Sequence, residues 1–193
     1  MSIISKLLFR ANSLVIKLVN KYRVDYFRHI HETRAIIAPG VGFGKGSEII
    51  FLPETTDARL SLGENCTFRQ RCNINLNFSS QLAIGKGNFF NNDCSVTCLN
   101  NIVIGDNNLF GEGVKMYDHN HEFRNKALLI QEQGFSLGNI TIGNNCWFGS
   151  NCIILNNVTI GDNVIVGANV LVYKSIESNT IVRANMPIHA MPY

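Results

Sequence analysis

No stretch of the 193-residue chain stays apolar for long enough to span a bilayer. The amino terminus carries Lys6 and Arg10 and offers no small-residue cleavage site, so it does not read as a secretory signal. A large charge of either sign is also missing: charged residues make up 16% of the chain and the net charge is +3. The excess sits at one end. Residues 1–34 hold seven basic side chains against Asp25 and Glu32, a local +5 that leaves −2 for the remainder. Nothing after residue 34 has the basic footprint of a nucleic-acid-binding surface, so nucleic acid is not an expected partner. The glycine cluster GVGFGKG, from Gly40 to Gly46, lacks the Lys–Ser/Thr ending and the following helix of a phosphate-binding loop. It reads as successive turns.

What the chain has instead is a short internal period. In the stretch from Asn139 to Tyr173, Ile142, Phe148, Ile154, Ile160, Val166 and Val172 recur every six residues, and Gly follows at Gly143, Gly149, Gly161 and Gly167. Six residues suit neither a helical repeat nor a two-residue alternation. They suit the short strands of a β-solenoid, joined by corners where Gly, Asn or Asp turns the backbone. The same register accounts for most of the cysteines. Cys66, Cys72, Cys94, Cys146 and Cys152 each lie four residues after a large apolar repeat residue, in a slot that Val158, Val164 and Val170 fill elsewhere. Free Cys behaves as a small buried hydrophobe, so these read as core filling rather than as disulfides or metal ligands. Reduced thiols in turn suit a cytoplasmic protein.

Taken in order, residues 2–23 form an amphipathic pattern: Ile4, Leu7, Leu8, Leu14, Val15, Leu18, Val19 and Tyr22 line one side, opposite Lys6, Arg10, Lys17 and Lys21. Two readings stand. The stripe packs on the solenoid or on a neighbouring subunit, or it lies on an anionic membrane surface, at the inner face in a cytoplasmic protein. His29 and His31 are expected at a surface or interface. An N-terminal helical segment (1–34) thus precedes a solenoid domain (35–193). The apolar–Gly pairs at Leu62, Ile84, Ile104, Ile142 and Ile160 are separated by 22, 20, 38 and 18 residues. Eighteen residues make one triangular coil, so the 38 holds an extra aperiodic segment, about Asp118 to Gly138. A long loop in a regular scaffold is usually functional. This one carries His119 and His121, and Phe135-Ser136-Leu137 offers apolar anchors at its end.

The repeat, the IGxxxWFG form at Ile142–Gly149, the interrupted coil with its histidines and the ending Asn185-Met186-Pro187 together resemble the hexapeptide-repeat acyltransferases. The likeness covers roughly residues 60–190 and is greatest to sugar O-acetyltransferases, including galactoside, maltose and capsular-polysaccharide enzymes. It implies a left-handed parallel β-helix, acetyl-CoA as co-substrate without a metal, and a homotrimer with active sites between subunits. Counting without gaps past Tyr117 places the family's catalytic histidine at His121; His119 takes that place only with a gap. The family's acceptor-holding asparagine aligns with Asp93, which either orients the histidine or is a turn residue. Ser150, Ala168 and Lys174 match positions that contact coenzyme A, with Tyr173 where Thr is commoner. Pro187-Ile188-His189 replaces the usual Pro-small-basic ending. Trp147 either walls the acetyl or acceptor pocket or packs within the coil.

The expected chemistry is transfer of acetyl from acetyl-CoA to a carbohydrate hydroxyl, with His121 as general base. Backbone N–H groups near Gly149 are expected to stabilise charge on the thioester oxygen. A surface-polysaccharide pathway suits the basic amino terminus. Three rivals use the same scaffold: an amino-sugar or amino-acid acceptor, a zinc enzyme, and a non-catalytic binding module. The zinc enzyme needs three converging histidines. Only His119 and His121 precede His189 in the solenoid region.

Overall fold

The computed structural model describes residues 3–52 and 57–184; the expected ending from Asn185 to His189 lies outside them. Helix α1 (Ile3–Ile30) leads into three parallel sheets that wrap one core. The first sheet runs from Ala35–Ile37 to Val158–Ile160, the second from Gly42–Phe43 to Ile181–Val182, and the third from Glu48–Phe51 to Leu171–Val172. The chain visits the sheets in rotation, so each circuit is one coil of a triangular solenoid, consistent with a left-handed β-helix. Leu62, Ile84, Ile104, Ile142 and Ile160 stand in register up the first sheet, as their spacing requires.

The period of six follows from strand alternation plus one turn. Each short strand sends one large apolar side chain inward, and the next corner must bend the chain through about a third of a circle. That bend uses left-handed backbone, which Asn and Gly tolerate best. Asn65, Asn107, Asn145, Asn163 and Asn179 all have φ near +60° along one edge of the prism, at 59°, 59°, 55°, 57° and 61°. Gly149 serves a different need: a Cβ there would strike the backbone of Ala168 in the next coil.

Inside, the repeat builds columns. Phe43, Phe68, Phe90, Phe110 and Phe148 stack with centroids 4.4–5.0 Å apart. Phe27 of α1 meets the end of that column edge-on at 5.1 Å, so the helix caps the open first coil. All six cysteines are free and buried. They are more than filler. The thiols of Cys66, Cys72, Cys94, Cys146 and Cys152 reach the next coil's carbonyls at Gly85, Asn91, Gly111, Gly161 and Gly167, at 2.9–3.2 Å. Valine fills the same slot without that bond.

Helix α1 is longer than the apolar stripe suggested, and it docks by a different face. Val24 and Phe27 are buried, while Leu14, Val15, Leu18, Val19 and Tyr22 are exposed. This described part of the stripe is therefore not buried on its own solenoid. His31, expected at a surface or interface, is 8% exposed where the helix meets the first coil. Its Nε2 lies 3.2 Å from the Ile49 carbonyl and its ring packs on Phe51, where it secures the helix to the first coil.

Candidate active site

The interrupted coil opens and closes at one point. After the third-sheet strand Lys115–Tyr117 the chain leaves the solenoid at Asp118, and it returns at Gly138, whose N–H donates to the Asp118 carbonyl at 2.7 Å. Between them, His119–His121 pairs antiparallel with Phe135–Leu137, which places His121 opposite Phe135. The tip is braced by Gln133, whose side chain bonds the backbone of Asn125 and Leu128. The extra chain is a self-bonded hairpin rather than a distorted coil.

Asp118 anchors this hairpin. Its carboxylate is fully buried and accepts from the N–H groups of Leu99 and Asn100, the thiol of Cys98 and Nδ1 of His119 at 3.1 Å. Burial alone would raise its pKa, but the bonds from His119, Leu99, Asn100 and Cys98 outweigh that and hold the carboxyl below its ordinary value. A carboxylate only accepts, so the His119 ring must carry its proton on Nδ1. In the sequence Asp118 does no more than mark the start of the loop. A lone Asp at a loop edge looks like a turn residue; its burial depends on the closure at Gly138.

His119 and His121 stand two residues apart and share one face of the strand, with Phe135 against both rings at 5.4 and 4.5 Å. Their exposures differ. The His119 side chain is 13% exposed and meets Tyr117 and Phe135 edge-on. The His121 ring is exposed and hydrogen-bonds to nothing among the described residues. Of the two readings of Asp93, histidine partner or turn residue, this chain by itself shows the turn. Asp93 sits at a corner with φ 62°, and its carboxylate is clamped by Arg71 at 2.6 and 2.9 Å. The Arg71 guanidinium holds the Asp93 carboxyl below its usual value. Arg71 precedes Asp93 by 22 residues, one early coil, so the register already held this pair.

The other expected residues lie on two edges of the prism, one of which is the hairpin's own. Gly149, Ser150 and Ala168 occupy the edge between the second and third sheets, while Tyr173 and Lys174 follow the third sheet. The third-sheet strands Ile153–Ile154 and Leu171–Val172 separate that edge from the one the histidine hairpin leaves. The Gly149 N–H is committed to the Val166 carbonyl at 2.7 Å. The N–H groups of Ser150 and Ala168 bond to nothing among the described residues. Lys174 lies with Nζ 5.5 Å over the Tyr173 ring beside a hollow of about 230 Å³. Trp147 is 53% exposed on the outer face of the second sheet, in register between Leu109 and Ile165, so it is not core packing. Among the described residues no three His, Cys, Asp or Glu side chains gather as a metal site.

Residues 139–174 match the family described as bacterial transferase hexapeptide (six repeats). No curated protein sequence matches the chain. Among solved structures, a mutant of the N-acyltransferase AntD from Bacillus cereus, in complex with dTDP and coenzyme A, superposes with a TM-score of 0.63 at 19% identity; 78% of each chain is covered. A hexapeptide-repeat acetyltransferase from Vibrio cholerae complexed with acetyl coenzyme A gives 0.51 at 21% identity, covering 84% of this chain and 73% of that one. A maltose O-acetyltransferase from Clostridium difficile gives 0.48 at 26% identity, covering 74% and 66%.

Proposed function

We infer, from a chain built on the hexapeptide repeat of bacterial transferases, that the protein is an acyltransferase moving acetyl from acetyl-CoA to a carbohydrate hydroxyl. The observation that carries this reading is His121. It is an exposed imidazole with unbonded nitrogens, on a hairpin that interrupts an otherwise regular solenoid and is anchored by a buried carboxylate.

The residues divide the work by position. His121 is reachable by an acceptor and removes the hydroxyl proton as the oxygen attacks the thioester carbon. The carbon–sulfur bond breaks, and the imidazolium returns its proton to the departing thiolate. His119 is too enclosed to meet a sugar directly; with Asp118 it holds the strand that aims His121. The free N–H groups of Ser150 and Ala168 face charge developing on the thioester oxygen. Small side chains there let the pantetheine arm lie close, Lys174 meets phosphate, and exposed Trp147 lines the pocket. Asp93, neutralised by Arg71, shapes the acceptor side.

Within one chain the histidine hairpin and the Ser150–Ala168 edge are separated by the width of the third sheet. A homotrimer that brings the donor edge of one copy to the hairpin of the next completes the site. A surface polysaccharide or its precursor is the acceptor class we favour, in the cytoplasm.

Acetyl-CoA turnover against saccharides, amino sugars and amino acids tests this reading. His121→Ala should lower turnover about 10²–10⁴-fold with saccharides and leave the melting temperature unchanged. Loss of turnover in His119→Ala with near-normal His121→Ala would move the base to His119. Turnover with amino acceptors alone would replace the hydroxyl by an amine, and no acetyl-CoA binding by calorimetry would remove the enzyme reading.

A further inference from the structure

The outward side of α1 carries an apolar stripe that the solenoid leaves uncovered. Leu14, Leu18, Tyr22, Tyr26 and Ile30 follow one another at four-residue steps with Val15 and Val19 beside them, and all are 43–74% exposed. At 1.5 Å per residue the stripe is about 24 Å long. It points away from Val24, Phe27 and His31, which dock the helix. Alongside runs a groove of about 630 Å³ between α1 and the first two coils. Its apolar wall is Val15, Val19 and Phe68; its charged residues are Arg23, Lys45 and Arg69, with no acidic side chain among its lining. Lys21 is exposed on the helix, and Asp25 is neutralised by Arg28 at 3.3 Å.

We propose that this face is a peripheral membrane-docking surface selective for anionic lipid. Apolar side chains that enter the acyl boundary, rimmed by long cations that reach phosphate, are what an interfacial helix requires. No helix among the described residues is long and apolar enough to cross a bilayer, so the contact lies on the surface. The charge pattern argues against a two-fold partner: a second copy applied face to face sets Arg23, Lys45 and Arg69 against their own kind. Docking here does not depend on the acyl-transfer reading, because its readout uses no turnover.

The test is flotation of the intact protein with phosphatidylcholine vesicles, with and without phosphatidylglycerol. Flotation should require the anionic lipid and weaken as salt rises. Lys45→Gln with Arg69→Gln should weaken it about 25-fold, near fivefold per cation. Leu14→Ser with Leu18→Ser should abolish it without changing the circular dichroism or the mass in solution. Equal flotation on neutral and anionic vesicles, or none on either, overturns the proposal. So does a Leu14→Ser, Leu18→Ser protein whose mass by light scattering drops, since that assigns the stripe to a second copy.

Discussion

Replacing Asp118 by asparagine keeps the shape of the side chain and removes its charge, which isolates what the buried carboxylate does. In the parent, Oδ2 accepts from Asn100 N–H at 2.8 Å, Leu99 N–H at 3.1 Å and the Cys98 thiol at 3.4 Å. Oδ1 accepts from Leu99 N–H at 2.9 Å and His119 Nδ1 at 3.1 Å. An amide has only one accepting oxygen. The least damaging placement puts it at Oδ2 and turns the NH₂ toward His119, which must then move its proton from Nδ1 to Nε2 in order to accept. The bonds to Asn100 and Leu99 survive as neutral ones. A charge-assisted bond contributes about 1.5–3 kcal/mol and a neutral one about 0.5–1.5, so the loss over these contacts is about 2–4 kcal/mol. For a chain of this size that lowers the melting temperature by about 4–16 °C. Hydrogen exchange should show faster exchange at Leu99 and Asn100, and turnover should fall with the loosened His121 strand. The pH dependence has a definite sign. The Asp118 carboxyl lies below its ordinary value when folded, so its contribution is present above about pH 3.9 and disappears as pH falls through the folded value. The variant should lack that slope. A melting temperature unchanged in Asp118→Asn, with Leu99 protection intact, would refute the account of Asp118 as the hairpin's anchor.

The same logic gives two further expectations. Burial, with the charge of Arg34 adding to it, lowers the His31 pKa against the bond to Ile49, so the folded chain favours the neutral ring. Stability from His31 is then complete above its unfolded value of about 6.5 and is lost as pH drops below it; thermal melts of the parent from neutral toward pH 5 should show this, and His31→Gln should flatten the slope. Gly149→Ala drives a methyl into the Ala168 backbone, which neighbouring coils hold in place. It should destabilise by about 1–3 kcal/mol in denaturant melts, whereas Ser150→Ala next to it should leave stability unchanged.

By itself the sequence determined the solenoid, its coil length, the cysteine slots and the ends of the interrupting hairpin. It could do so because each is a one-dimensional property. An inward side chain every six residues and a left-handed corner between strands recur along the chain, and a break in recurrence is visible without knowing what the break touches. Only the tertiary structure decided what lies inside or outside once coils stack. Asp118 becomes buried because Gly138 closes on it and Leu99 and Asn100 come from the coil before; nothing in its neighbours along the chain marks that. The 22-residue coil already sets Arg71 beneath Asp93 in the sequence, but only the stacked coils bring guanidinium and carboxylate into a clamp. The apolar stripe of α1 was plain in sequence, but its direction was not. A helix can bury either side, and Val24 with Phe27, aimed at the end of the phenylalanine column, turned the longer stripe outward. The difference between His119 and His121, two residues apart on one strand, is likewise a matter of what the fold sets against each ring: a buried carboxylate for one, open surface for the other.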